Sequence, residues 1–110
     1  MKLTEAEVQE LQARYRHLTN YEADEPDALI DPLTYVDSNG DRLLHLAVQG
    51  NDIHTVQLLL RAGMDVNQAG DMGNTALHYA KSEEMARLLL ARGASPNVCN
   101  EFGKRPSWKA

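Results

Sequence analysis

Four histidines and one cysteine are the side chains of this 110-residue chain best suited to bind a metal or attack a substrate; they stand at 17, 45, 54, 78 and 99. Zinc sites bring their ligands in close pairs, such as Cys-x-x-Cys or His-x-x-x-His, and no such pair occurs. His45, His78 and Cys99 therefore read as no metal centre. No serine lies in a Gly-x-Ser-x-Gly elbow, and the glycines are spread one or two per turn with no cluster to cradle a phosphate. Cys99 lies near Asn97 and Asn100 with no base beside it to make a thiolate. The expectation is a chain without catalytic residues, metal or cofactor.

The elements that carry these side chains are set by a repeat. Gly40, Gly73 and Gly103 are spaced by 33 and 30 residues. His45 and His78 are 33 apart, as are Leu44 and Leu77, and Ala47 and Ala80. Leu58-Leu59-Leu60 recurs as Leu88-Leu89-Leu90, Gly63 as Gly93 and Asn67 as Asn97, all at a spacing of 30. Three residues are thus missing from the second copy near Lys81 and Ser82, where the loss is expected to shorten a turn between helices.

Each copy reads as two short helices and a turn. Arg42 to Gln49 is mostly apolar, as a buried helix should be, and Gly50-Asn51 tolerates the positive φ that stops one. Asp52 can cap a second helix with an apolar stripe of Ile53, Val56, Leu59 and Leu60, and Gly63 ends it. Ser82 caps the equivalent helix of the second copy, with Glu83 and Glu84 well placed in its first turn.

At these residues the chain resembles the ankyrin-repeat family. Gly40 to His45 reads Gly-Asp-Arg-Leu-Leu-His and Gly73 to His78 reads Gly-Asn-Thr-Ala-Leu-His, against the family's turn glycine and Thr-Pro-Leu-His. Gly63 to Asn67 and Gly93 to Asn97 follow its Gly-Ala-Asp-Val-Asn. Arg42-Leu43 and Ala76 depart from the Thr-Pro pattern, and Gly70 stands where the first copy has Asp37, which puts local turn hydrogen bonds in question. The fold class implied is all-α, a short ankyrin solenoid with repeats at 37–69, 70–99 and a partial third at 100–110. In that family the histidine position ties neighbouring turns, so Gly40, His45, Gly63, Gly73, His78 and Gly93 take structural roles.

Two full repeats are few for a continuous core, so the ends need cover. Residues 1–36 are read as a non-ankyrin helical cap within the same domain. Thr4-x-x-Glu7 is a capping box, Leu3 and Val8 make a hydrophobic staple, and Val8, Leu11, Tyr15 and Leu18 give an amphipathic helix of about 14 residues. Pro26 and Pro32 can start short turns. Leu29, Ile30, Leu33, Tyr35 and Val36 are expected to pack on the first repeat. At the other end, Trp108 is expected to seal the second repeat, while Phe102 fits sealing and binding equally.

Charge narrows the partners. Residues 1–36 hold three bases and eight acids, the source of the net charge of −5, while residues 37–110 balance. Such a chain suits neither nucleic acid nor anionic lipid and favours a basic partner. A single cysteine, no apolar run of membrane length and no secretory start point to the cytoplasm.

The resemblance implies binding of another protein through turn tips. The positions are Ser38, Asn39 and Asp41, then Asp71, Met72 and Asn74, then Glu101, Phe102 and Lys104, with Gln68, Ala69, Val98 and Cys99 in the preceding loops. Asp24, Glu25 and Asp27, within the acidic stretch Glu22 to Asp31, form a second candidate surface. Two alternatives stand beside this one: an immunity or inhibitor protein that neutralises a basic toxin, similar to small bacterial ankyrin-like chains, and a self-associating adaptor. A monomer or weak self-association is expected.

Overall fold

The structure, a computed structural model, describes residues 3–18 and 29–108. Asp24, Glu25 and Asp27 lie outside the described residues, as does Pro26. Among the described residues five α-helices follow in order, α1 (Glu5–Arg14), α2 (Leu43–Gln49), α3 (Ile53–Arg61), α4 (Ala76–Tyr79) and α5 (Glu83–Ala91), with a short 3-10 turn at Asp71–Gly73 between α3 and α4. Among the described residues there is no strand, only an isolated antiparallel bridge between Val36 and Arg42.

Short polar side chains start the longer helices. Thr4 Oγ accepts from the Glu7 N–H at 3.1 Å and Glu7 Oε1 from the Thr4 N–H at 2.9 Å, the reciprocal pair of a capping box. Asp52 Oδ1 accepts from the Thr55 N–H and Ser82 Oγ from the Met85 N–H, so two otherwise orphaned donors are met at α3 and α5. Between α2 and α3 the positive φ falls on Asn51, at 55°, while Gly50 stays at −83°.

Two expectations about length are corrected. α1 spans ten residues, not fourteen: Tyr15 leaves helical geometry, and its hydroxyl donates to Asp52 Oδ2 at 2.7 Å. The three-residue deletion falls within the first helix of the second copy, which has four residues against seven in α2. The chain leaves α4 at Ala80 in extended geometry and reaches the Ser82 cap directly.

The core lies between the helix pairs. Leu43, Leu44, Ala47 and Val48 of α2 meet Val56, Leu58 and Leu59 of α3, and Ala76, Leu77, Met85, Ala86 and Leu89 repeat the arrangement. α3 and α5 run parallel, as translation of one unit requires. Near their starts Ser82 Oγ donates to Asn51 Oδ1; beyond their ends Asn67 Nδ2 donates to the Gly93 carbonyl and its Oδ1 accepts from the Ser95 N–H.

α1 runs the other way. Glu7 pairs with Arg61, Glu10 with His54 at 2.9 Å, and Arg14 with Asp52 at 2.7 Å, so rising numbers on α1 meet falling numbers on α3. Leu11 is fully buried beneath these pairs, and Ile30 and Tyr35 join it in the core. Leu29 and Val36, expected to pack there, are exposed. They stand next to the buried Ile30 and Tyr35, on either side of a turn in which the Thr34 and Tyr35 N–H groups donate to the Asp31 carbonyl.

Candidate functional site

Three turns of matching plan line one edge. In each, the first residue's carbonyl accepts from the glycine N–H (Asp37 from Gly40, Gly70 from Gly73, Asn100 from Gly103). In each, the first residue's N–H also donates to the carbonyl of the fifth: Asp41, Asn74 and Lys104.

The histidines join these turns to the helices. His45 is wholly buried: Nδ1 accepts from the Arg42 N–H at 2.9 Å, which leaves the proton on Nε2 to donate to the Gln68 carbonyl at 2.8 Å. His78 accepts from the Thr75 N–H and donates to the Lys104 carbonyl at 3.0 Å. Each ring therefore ties its helix start to backbone further along the chain, His45 to the loop before the second turn and His78 to the third turn. Both nitrogens of each ring are engaged, which leaves no lone pair for a metal. Among the described residues no three His, Cys, Asp or Glu side chains gather as a metal site.

The tip residues divide by what they touch. Ser38, Asn39, Met72, Glu101, Phe102 and Lys104 are exposed, and Asp71 is half-buried. Met72 and Phe102 are the large apolar ones, at 50% and 65% exposure. The Glu101 N–H donates to the Met72 carbonyl at 2.9 Å, which fixes the two tips side by side. In the preceding loops Ala69 and Cys99 are exposed, Gln68 and Val98 partly so.

Asp41 is a correction. It is 5% exposed and faces inward: Oδ1 accepts from the Asp71 N–H at 2.9 Å and from the Tyr79 hydroxyl at 3.0 Å. A partner cannot reach it. Burial, with the Asp41 bond, pushes the Tyr79 hydroxyl up to about 12. Asn74 is also partly spent, since its Oδ1 accepts from Asn100 Nδ2 at 2.9 Å. Sequence reading missed both because turn position alone does not show which way a side chain points. The one signal was Gly70, a missing side chain beside a neighbour able to fill its place.

Trp108 is partly buried and donates through Nε1 to the Ala80 carbonyl at 3.0 Å, so it closes over the shortened α4. Phe102 does not share that work; it projects from its turn. A depression of about 630 Å³ lies by the α2–α3 turn, lined by Tyr15, Leu18 and Leu46, with Arg14 and Asp52 at its rim. Those two charges are bonded to each other. Burial opposes ionisation of Asp52, but bonds from Thr55, Tyr15 and Arg14 outweigh it and hold the carboxyl below its ordinary range. A carboxylate held that way is a poor general base.

Known proteins share the repeat. The family model for ankyrin repeats in three copies matches residues 14–100. The chain is 35% identical over 78 residues to human protein phosphatase 1 regulatory subunit 27, which covers 68% of this chain and 51% of the relative. It is 38% identical over 68 residues to the human mitochondrial disaggregase (59% of this chain, 10% of that one). The human transient receptor potential cation channel subfamily A member 1 is 38% identical over 71 residues (61% and 6%). The chain spans about half the length of the first relative and a small part of the others. These relatives carry unlike names, so what they have in common with this chain is the stacked turn-and-helix unit itself. The chain belongs to the ankyrin-repeat family.

Proposed function

We propose that this chain is a non-enzymatic module that binds another protein along the edge formed by its turn tips. Ankyrin repeats are generally protein-interaction modules, and a phosphatase regulatory subunit stands among the relatives. The observation that carries the reading is the pair Met72 and Phe102. Two large apolar side chains held next to each other on hydrogen-bonded turns keep apolar surface in water, an unfavourable exposure that a partner would relieve, and such anchors are favoured in interfaces.

Polar neighbours complete the edge. Ser38, Asn39, Asp71, Glu101 and Lys104 surround the apolar pair as a rim that sets register more than affinity. Asp71 and Glu101 directly precede the two apolar residues, which favours a partner segment carrying a base beside its apolar side chains. The test is capture from an extract of the source cells by the full chain, beside the Met72→Asp/Phe102→Asp variant. A protein retained by the parent and lost by the variant, with the melting temperature within a few degrees, is the expected result. Equal retention by both would end the reading.

A further inference from the structure

Turn 2 lacks the Asp or Asn that opens its two neighbours, and its backbone takes a different conformation. In turn 1, Asp37 Oδ1 accepts from the N–H groups of Asn39 and Asp41, both at 2.9 Å. In turn 3, Asn100 Oδ1 accepts from Phe102 and Lys104, at 2.9 and 3.0 Å. Gly70 has no side chain to do this. Asp41, from the turn before, reaches in, and its Oδ1 takes the N–H of the second residue, Asp71, instead of the third. A Cβ at Gly70 would collide with that same oxygen and lie 3.0 Å from the buried His45 ring, so the glycine leaves room for both side chains.

The backbone follows the change of acceptor. A side chain at the first position that binds the third residue's N–H holds the central peptide one way round; without it the peptide is free to turn over. In turn 2 it has. Met72 sits at φ 55° and ψ 26°, Gly73 at φ 75°, and the Asn74 N–H donates to the Asp71 carbonyl at 3.0 Å. These are the features of a type I′ turn, whose first central position strongly favours Asn or Gly. Asn39 and Phe102, at the same place in their turns, are not left-handed.

We propose that Asp41 is the positioning residue of the binding edge: from turn 1 it replaces the side chain absent at Gly70 and so sets the left-handed backbone from which Met72 is presented. The purpose of this device rests on the binding reading above; its geometry does not, and is tested without a partner. By amide exchange and NMR, the parent is expected to show a protected Asp71 N–H and a strong intraresidue HN–Hα cross-peak at Met72, the mark of positive φ.

Asp41→Ala should cost Asp71 roughly ten- to a hundredfold of its protection and weaken the Met72 cross-peak. Asp41→Asn, which retains an acceptor oxygen, should preserve both. Gly70→Asn alone should destabilise, by collision with Asp41. Asp41→Ala combined with Gly70→Asn should be more stable than the sum of the single effects, with Met72 moved to negative φ like Phe102. If Asp41→Ala alone does not fold, Asp41→Asn carries the test: a protected Asp71 N–H with positive φ at Met72 supports the proposal, and loss of both overturns it. Unchanged Asp71 protection in Asp41→Ala, or strictly additive single effects, would also overturn it. Should the capture experiment fail while these results hold, the binding reading falls and the positioning role stands.

Discussion

Met72 occupies a backbone conformation that asparagine adopts at less cost, since a left-handed residue with a full-sized side chain forfeits about 1 kcal/mol. Met72→Asn should therefore raise stability by roughly 0.5–1 kcal/mol in denaturant melts while weakening capture of the partner. A variant that is both more stable and fully competent would show that the methionine is not an anchor. The two histidines should differ in the opposite sense from Met72. His45→Ala removes a wholly buried ring and leaves the Arg42 N–H and Gln68 carbonyl without partners, for a loss of roughly 2–4 kcal/mol by chemical denaturation. His78, nearer solvent, should cost about half as much.

At the scale of elements, α1 is held to α3 over a single fully buried side chain of its own, Leu11, by a line of charge pairs. Most of these are exposed and individually worth a few tenths of a kcal/mol. Asp52 is the exception, because it caps α3 and accepts from Arg14 and Tyr15 together. Its folded pKa is depressed, so the stabilisation it supplies is present above the ordinary carboxyl value of about 4 and is lost as pH falls through the lower folded value. Acid titration followed by helical circular dichroism should show a loss below about pH 4 that is smaller in Asp52→Asn, since Glu7, also held below its ordinary range by bonds to Thr4 and Arg61, still contributes. The variant should also be less stable at neutral pH. Tyr79 acts at the other extreme. Its pKa is raised, so its contribution is complete below about 10 and disappears as pH climbs towards about 12. Tyr79→Phe should reduce the slope of stability across that alkaline window, the remainder coming from Tyr15, whose hydroxyl is also raised by burial and its bond to Asp52, and an unchanged slope would detach Tyr79 from it.

For the molecule as a whole, the stack is short, and each end needs cover because an exposed repeat face is an apolar surface. Trp108 is the chain's only tryptophan and rests over the abbreviated α4 with its indole N–H bonded to the Ala80 carbonyl. Its fluorescence should consequently report unfolding of the second repeat. Trp108→Ala should lower stability by about 1–3 kcal/mol, since the ring is only partly buried. If the loss is negligible, another part of the chain closes that end.

Much was settled by residue order alone, because repeat spacing, caps and apolar stripes are local or periodic quantities. The 33- and 30-residue intervals pointed to the two helix pairs, Thr4, Asp52 and Ser82 marked where helices start, and the resemblance to ankyrin repeats implied the histidine ties. Tertiary structure decided what depends on direction and competition. It turned Asp41 inward, beside the space left by Gly70; it ended α1 at Arg14, where the Tyr15 hydroxyl bonds to Asp52; and it took the three missing residues from α4, while Ser82 still caps α5. Periodicity counts positions along a chain. It does not show which neighbour a carboxylate will find when a hydrogen bond in the next turn has been left open.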